Sequence, residues 1–401
     1  MYVAVMGYGT VGSGVVEVLT KNHDSIVKRS TQNEMEVKYI LDLRDFPGDP
    51  HESKMIKDFN IILNDDDVKV VVETMGGLHP AYEFVSSCLK AGKSVVTSNK
   101  ELVAAKGCEL LQYAQENNVN FLFEASVGGG IPIIRSLQEA LLGSSVERLS
   151  CIINGTCNYI LSRMSEAGLS FEDALKEAQA KGFAEADPTF DIEGIDSAHK
   201  TALLASLCSD KHVDFEKIHV TGISQITAED IATAADFGCT VKLLGIYHRV
   251  GDRVDARVHP CLLPKDHLLS SVNGVLNAVF LECDNLGPTL QTGAGAGRLP
   301  TASAVVADIV DSAIHNERRK LIGWTKPETD TSADADSKKF RYFIRTSDDK
   351  ETVKAVFSNV TEIECLAQTD FAFITEPLSV SELNIEKSKL GGIKTAIRVL
   401  D

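Results

Sequence analysis

No apolar run in the chain approaches the roughly 18 residues that a membrane-spanning helix requires, so no membrane span is expected. No basic leader precedes an apolar stretch. Tyr2-Val3-Ala4-Val5 opens a strand at once, and no secretory signal peptide is expected. No CxxC pair occurs among the nine cysteines, and an odd count without framework spacing predicts reduced thiols in a cytoplasmic protein. No internal repeat is visible. Basic residues are the minority, 40 Lys and Arg against 57 Asp and Glu, for a formal charge of -17. That balance argues against nucleic acid or an anionic membrane surface as the main partner. It leaves small anionic ligands open, because one local site can be basic within an acidic protein.

The 401 residues exceed one typical core, so two or three domains are expected. With 44% hydrophobic and 24% charged residues the composition is that of an ordinary folded protein. Residues 1 to about 130 alternate apolar strands with helical patterns. The strands are Tyr2–Met6, Val37–Leu41, Val68–Glu73, Ser94–Thr97 and Asn120–Phe123. The helices are Val11–Arg29, Tyr82–Ala91 and Leu102–Asn117. Strands apolar throughout, in β-α order, predict a parallel sheet covered on both faces.

From 131 to about 325 longer helices (Ile133–Leu142, Phe171–Lys181, Ala198–Cys208) mix with alternating strands. Thr240–Val250 and Val254–Val258 read as an antiparallel pair joined near Gly251-Asp252. This predicts an α+β domain with a mixed sheet. Such a sheet needs its face or edge covered, so a homodimer through residues of about 130–320 is expected. Residues near 293–320 are expected to complete the first domain. The polar stretch 326–339 reads as a linker. Residues 340–401 then run β-α-β-β-α-β, a ferredoxin-like order: Phe340–Thr346, Lys350–Ser358, Ile363–Gln368, Phe371–Thr375, Ser379–Lys387 and Lys394–Val399.

Gly7-Tyr8-Gly9-Thr10-Val11-Gly12 is a complete G-x-G-x-x-G between a strand and a helix, the context in which this motif binds a dinucleotide. Gly7 permits a tight turn, Gly9 lets a pyrophosphate approach the backbone, and Gly12 lets helix and strand pack closely. The helix N-terminus, with Thr10 and Val11, then offers N–H groups to the phosphates. This is a Rossmann-type nucleotide domain. Asp42, at the end of the second strand, is placed to hold the adenosine ribose of NAD, and Arg44 to accept the 2′-phosphate of NADP. Arg44 pairing with Asp42 or Asp45 at the surface is an equally good reading, so NAD and NADP both stay open.

Three further segments suggest chemistry. Thr97-Ser98-Asn99-Lys100 follows the fourth strand, which puts Lys100 at the carboxyl edge of the sheet, where α/β folds bind ligands. Thr74, directly after the third strand, is a further cofactor-binding candidate. Glu124, followed by the glycine run Gly128-Gly129-Gly130, is either an interdomain hinge or an oxygen cage for a hard cation. Between Lys181 and Lys200 five acidic residues crowd a Gly/Pro-broken loop that leads into a helix. Asp196 and Lys200, four apart, share one helical face, so Asp196 can orient an ammonium able to protonate an alkoxide. Glu185 has the chemistry to accept hydrogen bonds from a substrate amine. A solvated acidic loop with a surface ion pair is the plainer alternative. His199 points about 100° away from Lys200 and reads as structural or surface.

Taken together these segments resemble the homoserine dehydrogenase family, in its form without a fused kinase. The resemblance covers residues 2 to about 325. It rests on Gly7–Gly12, Ser98–Lys100, Glu124–Pro132, Asn154–Leu161, Gly182–Lys200 and Gly293–Ser303. It implies NAD(P)H-dependent reversible reduction of L-aspartate 4-semialdehyde to L-homoserine, a step toward threonine, methionine and isoleucine. By position it implies Lys200 as proton donor, Lys100 at cofactor and substrate, and Glu185 and Asp196 on the substrate's amine or hydroxyl. Gly155 and Thr156 would lie beside the substrate, with Gly297 in a turn over the nicotinamide. A sodium ion would sit at Glu124 with the carbonyls of Val127, Gly129 and Ile131. Cys157 stands where the family often has Thr, and Phe183 where Tyr is common. Residues 340–401 resemble an ACT regulatory module more weakly, which implies an amino-acid effector. The rivals are an acylating aldehyde dehydrogenase with Cys157 as nucleophile, and a nucleotide- and amino-acid-sensing protein without catalysis.

Overall fold

A computed structural model describes residues 1–30, 34–315, 319–334, 336–365 and 370–400. They form two compact units. The first comprises Met1–Ser145, Ala202–Asp214 and Gly293–Glu328, and the second Val146–Thr201, Phe215–Thr292 and Thr329–Asp401.

The first unit carries six strands: β1 (Tyr2–Met6), β2 (Glu36–Leu41), β3 (Met55–Ile56), β4 (Val68–Glu73), β5 (Ser94–Thr97) and β6 (Phe121–Leu122). They pair in parallel in the order β3-β2-β1-β4-β5-β6. Val3, Val5, Val70, Val72 and Val96 are fully or almost fully buried, as their apolar runs demand. Residues Gly293–Glu328 belong to this unit. Helix Arg298–Ile314 sends Ala302, Val305 and Ile309 into the same core as β1. It packs against helix Thr10–Lys21 at Gly14, where an added Cβ would lie 2.9 Å from the Arg298 carbonyl oxygen.

The second unit carries β7 (Val146–Ile152), β8 (His219–Val220), β9 (Cys239–Val250), β10 (Arg253–Pro264), β11 (Leu276–Cys283), β12 (Gly287–Ala294), β13 (Tyr342–Thr346), β14 (Val360–Ile363), β15 (Phe371–Thr375) and β16 (Ile393–Val399). Part of β12 belongs to the first unit. The sheet order is β12-β11-β7-β9-β10-β16-β13-β15-β14, with β8 beside β10.

Four local expectations need correction. The helix expected over Val11–Arg29 is two, Thr10–Lys21 and His23–Arg29, separated at Asn22. The helix expected at Ile133–Leu142 is one α-turn, Ile133–Arg135, continued by a wide π-turn, Ser136–Ala140. The strand expected over Ile363–Gln368 ends at Ile363, and residues 366–368 lie outside the described residues. The strand expected to stop at Val258 runs on through Pro260 to Pro264. Proline normally ends a strand because it lacks an N–H. The carbonyls of Val258 and Leu262 accept bonds from Thr221 and Leu400 on the side away from β9. By alternation the Pro260 nitrogen faces that side too. There β8 pairs only Arg257 and Val258, and β16 only Cys261 and Leu262. The missing donor falls in the gap between them.

The domain boundaries also differ from the expectation. Residues 340–400 have the ferredoxin-like strand order β16-β13-β15-β14 but extend the second unit's sheet, because β16 pairs in parallel with β10. Nor is 326–339 a bare linker. The Val254 N–H donates to the Thr331 carbonyl at 2.8 Å, and the Ala333 N–H to the Val254 carbonyl at 2.7 Å.

Candidate active site

The nucleotide cradle begins where β1 ends. Gly7 has φ of 94°, in the left-handed region that favours glycine, and a Cβ there would lie 2.9 Å from the Thr74 carbonyl oxygen. The Thr74 hydroxyl donates to the carbonyls of Met6 (3.1 Å) and Gly7 (2.9 Å), tying β4 to the turn. A Cβ on Gly12 would lie 1.9 Å from the Gly7 carbonyl oxygen, whereas one on Gly9 would meet nothing within 4 Å. Gly12 therefore serves packing, and Gly9 leaves space over the N-terminus of helix Thr10–Lys21, which suits a pyrophosphate. A cavity of about 500 Å³, lined by Gly7, Gly9, Asp42, Arg44, Thr74 and Gly76 among others, opens there.

At the cradle's ribose end the Asp42 carboxylate accepts from the Tyr8 N–H at 2.8 Å and from Arg44 Nη2 at 2.8 Å and Nε at 3.0 Å. Its pairing with Arg44 holds the carboxyl well below the usual range. The surface-pair reading of Arg44 is thus realised in this structure, and the guanidinium lies 5.2 Å from the Phe46 ring centroid.

Lys100 is the first residue of helix Lys100–Glu116, which Asn99 caps by accepting the Leu102 N–H at 3.1 Å. Behind it lies Glu73, a residue the sequence reading passed over. It accepts from the Thr97 hydroxyl at 2.6 Å and from the Met75 N–H at 2.8 Å, and burial pushes its carboxyl pKa up. The Asn99 amide reaches the Gly77 carbonyl at 2.6 Å. An acidic residue ending an otherwise apolar strand was the available signal for this brace.

Glu124 is buried, and its two carboxylate oxygens accept the N–H groups of Ile134 and Arg135, both at 2.8 Å. The backbone N–H of Glu124 donates to Asp308, whose carboxyl is pushed up to about 8 by burial and then by Glu124. The glycine run packs on the 293–297 segment. The Gly130 N–H donates to the Ala294 carbonyl at 3.0 Å, and a Cβ on Gly129 would lie 2.4 Å from the Gly295 backbone. Gly297, at φ 121°, precedes helix Arg298–Ile314. Asp308 and its partner Arg135 (3.0 Å) were not singled out in the sequence, because buried pairs distant along the chain leave no local pattern.

In the second unit the loop around Asp191, the helix Gly155–Ala167 and the first turns of the helix Ile195–Ser209 bring the remaining residues together. Asn154 caps the first helix through the Cys157 N–H (2.8 Å), while its amide donates to Asp191 at 2.7 Å and to Asp196 at 2.9 Å. Lys200 Nζ donates to the same Asp196 oxygen at 2.7 Å and to the Ile153 carbonyl at 3.1 Å. Asp196 is 3% exposed, so this is a braced ammonium rather than a surface pair. An ammonium has three donors, and these two bonds leave one for a substrate oxygen. Gly155 comes close to the backbone of Val275, and the Thr156 hydroxyl is spent on the Phe183 carbonyl at 2.6 Å. Glu185 is exposed, and among the described residues no bond joins its side chain to this cluster. His199 packs on Phe215, ring centroids 4.2 Å apart, which bears out its structural reading.

Cys157 is fully buried, and its thiol donates to the Asp191 carbonyl at 3.1 Å. Burial, then Asp191 and Asp196, push its pKa well above the usual thiol value. A nucleophile needs the thiolate and access, and this sulfur has neither. Iodoacetamide treatment of the native protein is expected to leave Cys157 unmodified by peptide mass and activity within about twofold. Inactivation in step with Cys157 labelling would restore the acylating reading.

Comparison with known proteins agrees with this geometry. A family model described as homoserine dehydrogenase, NAD binding domain matches residues 7–124, and a second, homoserine dehydrogenase, matches 132–310. The homoserine dehydrogenase of Pseudomonas aeruginosa is 45% identical over 77% of this chain and 71% of its own length. The chain belongs to the homoserine dehydrogenase family. The Helicobacter pylori homoserine dehydrogenase is 37% identical over 97% of this chain and 90% of its own. Among solved structures, a homoserine dehydrogenase from Thiobacillus denitrificans superposes with a TM-score of 0.91 at 36% identity, covering 100% of this chain and 98% of that one. A hyperthermophilic archaeal homoserine dehydrogenase in complex with NADPH matches with a TM-score of 0.65 at 28% identity, over 78% of this chain and 97% of that one. This homoserine dehydrogenase family member is therefore an NAD(P)-dependent oxidoreductase of amino-acid biosynthesis. Among the described residues no helix is long and apolar enough to cross a membrane.

Proposed function

We propose that the chain reduces L-aspartate 4-semialdehyde to L-homoserine, with Lys200 as the proton donor. The observation that carries this is the clamp of Asn154, Asp196 and Lys200, which holds an ammonium in place with one donor in reserve. A reduced nicotinamide, when bound, supplies the hydride to the carbonyl carbon. Lys200 delivers a proton to the oxygen as negative charge develops there. Asp196 keeps that ammonium oriented and, with Glu185, takes the substrate's amine or hydroxyl. Lys100 contacts cofactor and substrate. The glycines Gly7, Gly9 and Gly12, with Thr10, Val11 and Thr74, hold the nucleotide, and Gly297 closes on its nicotinamide end. The test runs in reverse: L-homoserine with NAD or NADP should yield reduced cofactor, and D-homoserine or ethanol should not. Equal turnover of all three alcohols would overturn the substrate assignment.

Asp42 and Arg44 together govern the choice of nucleotide. Arg44→Ala is expected to lower kcat/KM for NADPH relative to NADH by about tenfold, one charge-assisted hydrogen bond to the 2′-phosphate. An unchanged ratio would remove Arg44 from recognition.

A sodium ion at Glu124 with the carbonyls of Val127, Gly129 and Ile131 suits the residues present. Each Glu124 oxygen keeps a second lone pair, and burial disfavours charge on both Glu124 and Asp308, which a cation would relieve. Its role would be to hold the glycine run in place. A homodimer and an amino-acid effector at residues 340–401 complete the reading.

A further inference from the structure

The second unit contains a cationic cavity of about 190 Å³ that the reaction does not use. It lies where the C-terminal module joins the rest of the sheet. Arg148 comes from β7, His248 from β9, Arg398 from β16, and Lys338 and Phe340 from the segment leading into β13. No acidic side chain lines it among the described residues. In a chain of net charge -17 such a concentration of cations stands out from the rest of the composition.

Arg398 is the centre of this cluster. It is 6% exposed and lies 3.6 Å from the Phe340 ring centroid, yet its Nη1 is buried with no hydrogen-bond partner among the described residues. Burial pulls its pKa below the usual arginine value, and the neighbouring Arg257 adds to the effect. His248 is 7% exposed, and its Nδ1 also lacks a hydrogen bond, the nearest carboxylate being Asp255 at 3.6 Å. One oxygen of that carboxylate bonds Arg257 at 2.5 Å, and the other, which faces His248, is buried without a hydrogen bond among the described residues. Burial also lowers the pKa of Lys338, with Arg148 contributing. Among the described residues Arg148 pairs with Glu282, at 3.8 Å. A buried guanidinium nitrogen without an acceptor costs free energy that an anion would recover. The apolar walls, Ile246, Phe340 and Val399, suit a compact body behind the charged head.

We propose that this cavity binds a small oxyanion, a phosphate or a carboxylate on a compact apolar body, and that the bound anion braces β16 against β9 and β7. An amino-acid zwitterion is disfavoured, because its ammonium would meet cations with no carboxylate in the lining. The site is thus distinct in chemistry from an amino-acid effector site.

The test is calorimetric titration of the full chain at constant ionic strength, with the nucleotide cradle filled by excess NAD or NADP. Sodium phosphate and sodium succinate are titrated separately, with sodium chloride as control. The expected result is saturable binding of one oxyanion per chain, with a rise in Tm. Binding should weaken by at least about tenfold in Lys338→Met and in Arg148→Gln, partly exposed positions where the fold tolerates change, whereas Arg398→Met risks the core. Phosphate alone binding assigns the tetrahedral ion, succinate alone assigns the carboxylate, and both together assign the shared chemistry. Heats equal to the chloride control, or binding that persists in both variants, would overturn the site.

Discussion

Lys200→Met is expected to lower kcat by about a hundredfold to ten-thousandfold, the range for loss of a positioned general acid. The nucleotide-binding residues belong to the other unit, so the Kd for reduced cofactor should change by no more than about threefold. Methionine matches the unbranched stem of the side chain as far as Cε, and Asp196 keeps its bond from Asn154. Lys200→Arg separates the two functions of this residue. A guanidinium can still pair with Asp196, but it holds its proton far more tightly than an ammonium and is a poor proton donor. The arginine variant should therefore recover stability without recovering kcat. Asp196→Asn should give an intermediate loss, and combining it with Lys200→Met should add little, because the two act as one unit. The measurements are steady-state kinetics and cofactor titration by fluorescence. A Lys200→Met enzyme within tenfold of wild type would remove Lys200 as the acid.

The second large effect separates two glycines of one motif. Gly12→Ala places a Cβ where the Gly7 carbonyl oxygen stands 1.9 Å away, so the turn and helix must move apart. Overpacking of this kind costs about 1–3 kcal/mol or more, and lower Tm should accompany lost nucleotide binding. Gly9→Ala adds a Cβ with no protein atom within 4 Å, so Tm should stay within a few degrees. The same methyl projects over the helix N-terminus where a pyrophosphate must approach the backbone. Affinity for the reduced cofactor should fall by about tenfold to a hundredfold, a cost of roughly 1.4 to 2.8 kcal/mol. Thermal unfolding and cofactor titration on both variants check this. Equal destabilisation by the two substitutions would mean that the motif serves packing alone.

Much of this was legible in the chain because it is local. Val68–Glu73 and Ser94–Thr97 are strands with the expected bounds, since unbroken apolar runs in a two-sided sheet admit no other placement. The glycine motif was legible from its place between a strand and a helix, whereas spacing left the Asp196–Lys200 pair open between a working ammonium and a surface ion pair until the fold buried Asp196. What stayed hidden depends on partners far away in sequence. Nothing near Cys261 or Leu262 announces that Arg398 and Val399 will pair with them, so the C-terminal module read as separate. The strand was read as stopping at Val258, because the gap between β8 and β16 that accommodates Pro260 exists only in the folded sheet. Asn154 was visible as part of a motif, but its double grip on Asp191 and Asp196 requires the loop and helix to meet. Glu185 was singled out by its residue type and motif position, and the fold leaves it exposed, without a side-chain bond to this cluster among the described residues.

The central claim is tested most directly by mixing the purified chain with L-aspartate 4-semialdehyde and NADPH or NADH, with sodium present, and following the near-ultraviolet absorbance of the reduced nicotinamide while identifying the product by mass. The account predicts rapid oxidation of at least one cofactor, stoichiometric formation of homoserine, and collapse of both signals in Lys200→Met. Fresh semialdehyde that leaves both cofactors reduced, in a protein that binds them, would contradict it.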